Sequence, residues 1–335
     1  MKTRVAINGF GRIGRIAFRI ARERSDVEVV AVNDLTDTKT LAYLLAHDTN
    51  YGNYARKVEF DDKNIIVDGV KIPVLAEKDP AALPWKDLKV DVVIESTGFF
   101  TNGEAAGAHL KAGAKKVVIS APAKDDTVKT IVIGANDEEL KNAGDVISNA
   151  SCTTNSIAAV MDIMDREFGV EKAMLTTVHS DTASQSLADG PKKDLREGRA
   201  APQNIVPTTT GAAIAVTKTV PSLQDKFDGL SVRVPTPVVS LSDVTMVLKR
   251  NTTVEEINQV LKKASNEPYY QGIVAVSDEP LVSSDYIGNA ASGTVDLELT
   301  NVVDGNLAKV VVWYDNEWGY SNRLVELVAD VGKLL

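Results

Sequence analysis

The sequence predicts a two-domain α/β protein, in which an open and mainly parallel sheet is followed by an α+β domain with a largely antiparallel sheet. Over the first 150 residues, short β-branched runs alternate with longer segments of helical period, which is the pattern of βαβ units. After residue 151 the strand-like runs become longer. With 335 residues, 44% of them hydrophobic and 25% charged, the chain is long enough for two domains with cores of their own.

The first domain is predicted over residues 1–150. Between its first two strands, Ile13, Ile16 and Ile20 recur at three- and four-residue spacing, which predicts a helix over residues 11–23 with one apolar face on the sheet. Two further runs around the turn pair Asp68-Gly69 predict antiparallel strands beside the main sheet. The predicted strands of the main sheet are residues 4–8, 27–33, 90–95, 116–120, 130–133 and 145–148, and those of the insertion are 57–60 and 65–74.

The second domain is predicted over residues 151–316. It begins with a helix over 151–168 that carries Ile157, Met161 and Met164 on one face. Its predicted strands are residues 172–179, 231–235, 240–249, 294–299 and 307–314.

Two further segments stand out by their pattern. The stretch between His179 and Pro207 has no clear period and is far longer than an ordinary connection, so it predicts a functional loop or an interface. Residues 317–335 carry apolar side chains at helical spacing and predict a last helix that packs back on the first domain.

Charge and cysteine content exclude several classes of protein. A net charge of −9 has the wrong sign for a surface that binds nucleic acid, although one positive pocket for a small anion remains possible. The single cysteine, Cys152, excludes an intrachain disulfide and favours a reducing compartment. Neither a secretory leader nor an apolar run of about 18 residues is found, so we expect a cytoplasmic protein without membrane partners.

The run Gly9-Phe10-Gly11-Arg12-Ile13-Gly14 lies where the first strand should turn into the first helix. In a G-x-G-x-x-G turn the first Gly allows the bend, the second lets the backbone approach a pyrophosphate, and the third lets helix and strand pack closely. Asp34 follows about 20 residues later, where a carboxylate can bind an adenosine ribose. Together these features predict a Rossmann-type dinucleotide domain. Because Asp34 would repel a 2′-phosphate and Leu35 brings no positive charge, NAD is favoured over NADP.

Two more polar segments follow predicted strands of the same sheet. Ser96-Thr97-Gly98 and Ser120-Ala121-Pro122 lie where such sheets place their ligand-contacting loops. A helix cap or a simple turn explains each of them equally well.

Cys152 leads a predicted helix in polar company, within Asn149-Ala150-Ser151-Cys152-Thr153-Thr154-Asn155. The positive end of the helix dipole should lower the pKa of its thiol and make it a nucleophile; the alternative is an inert buried cysteine. His179 ends a strand at the mouth of the long loop, where it can act as the base for that thiol. The other histidines, His47 and His109, are predicted to be solvated or packing residues, and no zinc-ligand spacing occurs.

A third group is suited to anions. Thr208-Thr209-Thr210-Gly211, Arg199 and the Arg233 segment combine hydroxyls, guanidinium groups and an open helix start, which are common phosphate ligands. Each of these alone is more often a cap or a surface charge.

Four segments resemble one family, that of the phosphorylating glyceraldehyde-3-phosphate dehydrogenases, and the resemblance covers nearly the whole chain. The segments are Ile7-Asn8-Gly9-Phe10-Gly11-Arg12-Ile13-Gly14-Arg15, Ser148-Asn149-Ala150-Ser151-Cys152-Thr153-Thr154-Asn155, Arg233-Val234-Pro235-Thr236-Pro237 and Trp313-Tyr314-Asp315-Asn316-Glu317-Trp318-Gly319-Tyr320. The resemblance implies a cytoplasmic homotetramer of glycolysis or gluconeogenesis. It also implies that Cys152 attacks the aldehyde, that His179 assists, and that inorganic phosphate cleaves the resulting thioester to give 1,3-bisphosphoglycerate.

The same resemblance implies roles for further residues. The implied phosphate and substrate contacts are Ser151, Thr153, Thr182, Arg199, Thr210, Gly211 and Arg233. The implied NAD contacts are Arg12, Ile13, Asp34, Lys78, Ser120 and Asn316, which join Gly9, Gly11, Gly14, Ser96 and Thr97 of the predicted dinucleotide site.

The sequence departs from the family pattern mainly in the long loop, which in the family lines the cofactor site of a neighbouring subunit. Asp181 replaces a common Tyr, Lys192 replaces a His and Glu197 replaces an Arg. Outside the loop, Lys78 stands where Arg is frequent, which weakens a forked contact there. These changes bear on subunit contacts and cofactor affinity.

Three rival functions remain at this stage. Erythrose-4-phosphate dehydrogenases share the fold and the Cys–His pair but pass the acyl group to water. A Cys–His amidase or protease would have no use for the dinucleotide turn or for Asp34. A non-catalytic nucleotide-binding module would not need Cys152.

Overall fold

The N-terminal part of the chain forms a nine-stranded sheet in the computed structural model, which describes residues 2–335. Its helices and strands are β1 (Thr3–Asn8), α1 (Arg12–Glu23), β2 (Val27–Asn33), α2 (Thr38–Ala46), β3 (Val58–Phe60), β4 (Asn64–Val67), β5 (Val70–Leu75), β6 (Val92–Glu95), α3 (Gly103–Ala106), α4 (Ala108–Lys111), β7 (Lys116–Ile119), β8 (Lys129–Thr130) and β9 (Val146–Ser148).

The strand order of this sheet is β3-β4-β5-β2-β1-β6-β7-β9-β8, and all neighbours from β5 to β8 are parallel. The predicted insertion forms the antiparallel pairs β3–β4 and β4–β5 at one edge. Because β5, β2, β1, β6 and β7 are parallel neighbours, the loops that follow them open on one edge of the sheet, where such folds bind ligands. The predicted α/β sheet is confirmed.

The C-terminal part of the described chain forms a second, seven-stranded sheet together with four helices. Its elements are α5 (Cys152–Phe168), β10 (Val170–Ser180), β11 (Val206–Thr209), α6 (Ala212–Thr219), β12 (Phe227–Val234), β13 (Ser240–Leu248), α7 (Val254–Ser265), β14 (Val274–Ser277), β15 (Gly293–Val303), β16 (Leu307–Tyr314) and α8 (Trp318–Lys333). The order is β11-β12-β10-β13-β16-β15-β14, with the parallel pairs β10–β12 and β14–β15 and otherwise antiparallel neighbours, as expected for a largely antiparallel sheet.

Residues alternate between the two faces of this second sheet. On β10, Ala173, Leu175, Thr177 and His179 are buried, while Met174 is exposed. This two-residue period is that of a sheet with one face covered, here by helices that include α5.

The chain divides into two compact units. The first unit consists of three segments: the chain up to Ile131, Glu138–Ala150 and Ser321–Leu335. The second consists of Val132–Asp137 and Ser151–Tyr320. Most of α8 therefore belongs to the first unit, where a side chain at Gly332 would meet Thr3 Oγ1 at 2.0 Å. No helix within residues 2–335 is both long and apolar enough to cross a membrane.

Several elements differ from the sequence prediction. The strand expected over 130–133 is reduced to Lys129–Thr130, because the backbone N–H of Val132 is bound by the Asn136 side chain in a turn. The strand expected from residue 231 starts at Phe227, where pairing with β10 extends it. The sequence did not predict α6, α7, β11 or β14. The irregular segment that follows β10 holds one isolated bridge, Ser186 to Ala200, and one short 3-10 helix, Ala201–Gln203.

Candidate active site

In the glycine turn between β1 and α1, the three glycines have different structural roles. Gly9 has a φ of +92°, and a Cβ there would lie 2.7 Å from the backbone N of Thr97. A Cβ at Gly14 would lie 2.1 Å from the carbonyl oxygen of Gly9. At Gly11, by contrast, an added Cβ meets nothing within 4 Å. The first and third glycines are thus needed by the fold, whereas the second leaves an open approach to the backbone.

The start of α1 is suited to an anion. Gly11 is the N-cap and supplies no side-chain hydrogen bond, so the first N–H groups of the helix have no side-chain cap. These donors and the helix dipole attract a phosphate group. The turn and the helix start therefore fit the pyrophosphate of a dinucleotide.

Asp34 follows β2 and is tied to the glycine turn. Its Oδ2 accepts a hydrogen bond from the backbone N–H of Phe10 at 2.8 Å, and its Oδ1 accepts one from Thr36 at 3.0 Å. The carboxylate predicted to bind ribose is thereby held beside the turn predicted to bind pyrophosphate.

The other predicted cofactor contacts of the first unit lie around the same loops. The Ser96 hydroxyl donates to the Gly9 carbonyl at 2.7 Å, and the backbone N–H of Ser120 donates to the Glu95 carbonyl at 2.9 Å. Thr97 donates to the Glu95 carboxylate. Ile13 is half-buried and Lys78 is exposed.

Arg12 pairs with Asp48 at 2.6 Å and lies over the Tyr51 ring. Burial by itself would raise the pKa of Asp48, but the hydrogen bond and charge of Arg12 outweigh it and leave that pKa below its ordinary value.

In the second unit, Cys152 is the first residue of α5. Ser151 is the N-cap, and its hydroxyl accepts a hydrogen bond from the Thr154 backbone N–H at 3.0 Å. This cap is the reason the helix begins at the cysteine. The thiol is consequently held at the positive end of a 17-residue helix.

The Sγ of Cys152 lies 3.4 Å from Nε2 of His179. The other ring nitrogen, Nδ1, lies 2.8 Å from the carbonyl oxygen of Ser180. When Nδ1 carries the hydrogen and donates to this carbonyl, Nε2 presents its lone pair to the thiol. The predicted nucleophile and base are therefore in contact.

Arg233 lies against the same imidazole. Strand β12 pairs with β10 so that Arg233 is level with His179, and its Nη1 lies 2.5 Å from Nδ1 and 3.3 Å from the Ser180 oxygen. Burial, followed by the Arg233 charge, lowers the pKa of His179 to about 3. The imidazole is thus neutral in this arrangement.

The expected low pKa of the Cys152 thiol is wrong for this arrangement. Burial raises that pKa, and the opposing effects of Arg233 and of hydrogen bonds from Thr153 do not compensate. The helix start was visible in the sequence, but the enclosure of the sulfur was not. The resting pair is a neutral thiol facing a neutral imidazole.

Tyr314 is a site residue to which the sequence assigned no role. Its phenol oxygen is hydrogen-bonded to Thr153 Oγ1 at 2.8 Å and to Thr177 Oγ1 at 2.9 Å, so it joins the start of α5 to strand β10. The ring also contacts His179 edge to face, with 6.0 Å between centroids. Burial raises the pKa of the Tyr314 phenol, which keeps the hydroxyl protonated.

Asn316 follows β16 and is held by two serines. Its Oδ1 accepts hydrogen bonds from Ser180 Oγ at 3.1 Å and from Ser240 Oγ at 3.0 Å. With the oxygen so engaged, the amide N–H groups are directed elsewhere and suit an acceptor on a ligand.

The predicted anion ligands fall into two groups. Gly211 is the exposed N-cap of α6, without a side-chain hydrogen bond, and Thr210 Oγ1 accepts from the Ala212 N–H at 3.1 Å. Two residues of the long loop make contacts within that loop: Thr182 is hydrogen-bonded to Ser184, and Arg199 is paired with Asp189 at 3.1 Å.

Two of the three loop residues that depart from the family pattern make hydrogen bonds in the structure. Glu197 Oε1 accepts a hydrogen bond from Thr208 Oγ1 at 2.9 Å, which ties the loop to β11. The backbone N–H of Asp181 donates to the carbonyl of Thr236. Lys192 is exposed.

Comparison with known proteins gives matches to both units. The profile of the glyceraldehyde 3-phosphate dehydrogenase NAD binding domain matches residues 3–103, and that of the glyceraldehyde 3-phosphate dehydrogenase C-terminal domain matches residues 151–316. Among curated relatives, the glyceraldehyde-3-phosphate dehydrogenase of Thermotoga maritima is 56% identical over 325 residues, covering 96% of this chain and 97% of the relative. Those of Geobacillus stearothermophilus and Zymomonas mobilis are 52% and 49% identical, with coverage of 98% and 100% of both chains, respectively.

Proposed function

The chain belongs to the glyceraldehyde-3-phosphate dehydrogenase family, and on that premise we propose that it oxidises and phosphorylates D-glyceraldehyde 3-phosphate to 1,3-bisphosphoglycerate, a step of glycolysis and gluconeogenesis. The observation that carries this proposal is the contact of 3.4 Å between Cys152 Sγ and His179 Nε2. It supplies the nucleophile and the base that an acyl-enzyme reaction needs.

In the first step, the thiol proton passes to Nε2 and the sulfur attacks the aldehyde carbon. A C–S bond forms, and the carbonyl oxygen takes up a proton to give a hemithioacetal on Cys152. The backbone N–H of Cys152 and the His179 ring are the natural donors to that oxygen while it carries negative charge. Once the substrate phosphate engages Arg233, a hydrogen bond from Nδ1 to the Ser180 carbonyl keeps Nε2 directed at this proton.

In the second step, bound NAD supplies the hydride acceptor. Nε2 of His179 removes the hydroxyl proton as the carbon loses its hydride, and a thioester on Cys152 remains. The thioester retains free energy that direct hydrolysis would release as heat.

In the third step, an oxygen of inorganic phosphate attacks the thioester carbonyl. The C–S bond breaks, the acyl phosphate leaves, and the sulfur regains a proton from His179. We assign the attacking phosphate to Ser151, Thr153, Thr210 and Gly211, since the positive N-terminal end of α6, where Gly211 is the N-cap, favours an anion.

Arg233 has two roles in this proposal. We assign it, with Thr182, to the phosphate of the substrate, and Arg199 to a further substrate contact. Because its positive charge helps to lower the pKa of His179, a bound phosphate that neutralises this charge makes the imidazole more basic. Substrate binding thereby prepares the base for the proton of Cys152.

The cofactor is NAD, as the match to the NAD binding domain indicates. We assign its pyrophosphate to Gly9, Gly11 and Gly14 with Arg12 and Ile13, and its adenosine ribose to Asp34. The remaining assigned contacts are Lys78, Ser96, Thr97, Ser120 and Asn316, the last through its amide N–H groups to the nicotinamide carboxamide.

A homotetramer is part of the proposal. The uncovered face of the second sheet carries Met174, 59% exposed, and Leu230, 43% exposed, and a second copy of the chain could cover them. A working Cys152 must also stay reduced, which fits a cytoplasmic location.

The decisive experiment measures NADH formation from glyceraldehyde 3-phosphate with and without inorganic phosphate, with NADP run in parallel. We expect turnover that requires phosphate and prefers NAD. Equal rates without phosphate would instead indicate transfer to water, as in an erythrose-4-phosphate dehydrogenase, and the proposal would be wrong. A Cys152→Ser variant that binds NAD but forms no NADH is the matched control for the nucleophile.

A further inference from the structure

A buried carboxylate lies beneath the cofactor loops and takes no part in the chemistry above. Glu95, at the end of β6, accepts four hydrogen bonds. Its Oε1 accepts from the Thr97 backbone N–H at 2.8 Å and from the Thr97 hydroxyl at 2.5 Å. Its Oε2 accepts from Asn8 Nδ2 at 2.6 Å and from His109 Nε2 at 3.1 Å. Glu95 is 1% exposed and His109 is 0% exposed.

Trp85 fixes which nitrogen of His109 carries the hydrogen. The indole Nε1–H can only donate, and it lies 2.9 Å from His109 Nδ1, so Nδ1 is the acceptor. Nε2 is then the donor and faces the Glu95 carboxylate. Asn8 Nδ2 and His109 Nε2 lie 3.3 Å apart because both are directed at the same oxygen.

The chain of hydrogen bonds continues across the sheet to the loops that follow β2 and β5. Asn33 Nδ2 donates to Asn8 Oδ1 at 2.7 Å and to the Glu77 carbonyl at 2.9 Å. Asn33 Oδ1 accepts from the Glu77 backbone N–H at 2.9 Å. Each asparagine amide is thus used at both ends, and neither can rotate without losing a buried bond.

Four residues of this chain of hydrogen bonds directly precede cofactor residues in the sequence. Asn8 precedes Gly9, Asn33 precedes Asp34, Glu95 precedes Ser96, and Glu77 precedes Lys78. The three strand ends belong to the neighbours β2, β1 and β6. A shift in one side chain therefore moves the backbone from which cofactor ligands project.

We propose that the buried chain Trp85–His109–Glu95–Asn8–Asn33 is a positioning network that sets the affinity for NAD by fixing four loops, without touching the cofactor. An apolar core would hold the strands together equally well, whereas a fully paired polar network also fixes the direction of each loop. The inference rests on the proposed function, because it takes NAD as the ligand of those loops.

Two substitutions of His109 distinguish a network that positions the cofactor loops from one that only packs the core. His109→Gln places an amide N–H near the Nε2 position and retains the donor to Glu95, whereas His109→Asn places an oxygen near the Nδ1 position and retains the acceptor for Trp85. Both remove the ring. We expect the Asn variant to bind NAD about tenfold more weakly and the Gln variant to stay within about threefold of wild type.

The measurement is the dissociation constant of NAD by titration calorimetry, together with KM for NAD and kcat at saturating NAD. A positioning role raises KM for NAD in the Asn variant and leaves kcat within about twofold. Equal affinities in the two variants, at equal loss of thermal stability, would show that the network only packs the core. Wild-type protein that fails to bind NAD would overturn the proposed function itself, which is a separate result.

A second pair of variants serves if the His109 substitutions prevent folding. Asn33→Ala cuts the link to Glu77 at the end of β2, and Val27→Ala removes buried methyl groups at the opposite end of the same strand. We expect weaker NAD binding from the first and unchanged binding from the second. If the two affinities are equal, the inference is wrong.

Discussion

At the residue scale, the catalytic pair depends on a single arginine placed beside the base. Two uncharged groups, Cys152 and His179, face each other because burial raises the pKa of the thiol and lowers that of the imidazole. Arg233 adds to the second effect and opposes the first. In the proposed reaction the substrate phosphate neutralises the charge of Arg233, which is in contact with the imidazole whose basicity the reaction requires.

This arrangement leads to a prediction for Arg233→Gln. Without the guanidinium, the pKa of His179 should rise from about 3 toward its ordinary value of 6.5, because one of the two effects that lower it is removed. The titration is followed by NMR of the imidazole carbons in a Cys152→Ser background, and His179→Asn identifies the signal. Addition of glycerol 3-phosphate to protein that retains Arg233 should move the same signal in the same direction. An unchanged pKa in both experiments would contradict the role assigned to Arg233.

At the element scale, the helices and strands that could be predicted from the sequence are those whose formation depends on residues nearby along the chain. Strands β1 and β2 and helix α1 followed from periodicity and from the glycine turn, and the start of α5 followed from the polar run that contains Cys152. Segments that depend on distant partners were missed: β11 forms by pairing with β12, and α6 begins at a Gly without a side-chain cap.

The same distinction applies to the site. Cys152 and His179 were found because each marks the end of an element, whereas the distance of 3.4 Å between Sγ and Nε2 comes from the structure alone. Tyr314 and His109 were not given a function, because their roles arise from hydrogen bonds to residues more than 20 positions away, such as Thr153 and Trp85. No local pattern indicates such pairs.

The glycine turn gives a prediction that separates folding from binding. Gly14→Ala should destabilise the protein by about 3 kcal/mol, because its methyl group would lie 2.1 Å from a backbone oxygen that must move. Gly11→Ala meets no protein atom within 4 Å and should change the free energy of unfolding by less than about 0.5 kcal/mol. Its methyl group should nevertheless block the pyrophosphate and weaken NAD binding about tenfold or more.

Urea unfolding without NAD and calorimetric titration with NAD measure the two quantities for each variant. Loss of stability in Gly11→Ala, or full NAD affinity in that variant, would contradict the open approach to this turn.

At the scale of the whole molecule, the buried base makes stability depend on pH. The unfolded chain protonates His179 below its ordinary pKa of 6.5, while the folded chain resists protonation down to about 3. The unfolded state therefore binds more protons between these values, and stability must fall as the pH falls through that range. The contribution of this one group is about 1.4 kcal/mol for each pH unit.

The test is the free energy of unfolding between about pH 5 and 6.5, a window above the ordinary pKa values of Asp and Glu. In the His179→Asn variant, the free energy of unfolding should change less steeply with pH, and the difference in slope should be close to the contribution of this one histidine. Both proteins are measured at the same concentration. A variant with the same slope as wild type would show that His179 is not held neutral in the folded protein.

The uncovered face of the second sheet bears on assembly. One row across β12, β10 and β13 brings together Val232, Val178 and Leu241, and the next two rows hold Leu230 and Met174 among polar residues. Apolar surface of this kind on a sheet without covering helices is typical of an interface between subunits. We expect light scattering to give a mass of about four times the chain mass of 35.9 kDa.

Met174→Glu combined with Leu230→Glu should lower that mass, because the assembled state would bury two carboxylates without partners. Tyr43→Glu is the matched control: Tyr43 is 64% exposed on α2 in the first unit, and its replacement should leave the mass unchanged. If the double variant keeps the wild-type mass, another surface holds the subunits together. If instead the wild type itself is monomeric at assay concentrations and fully active, the proposed tetramer is not needed for catalysis, and the long loop must complete the site within one chain.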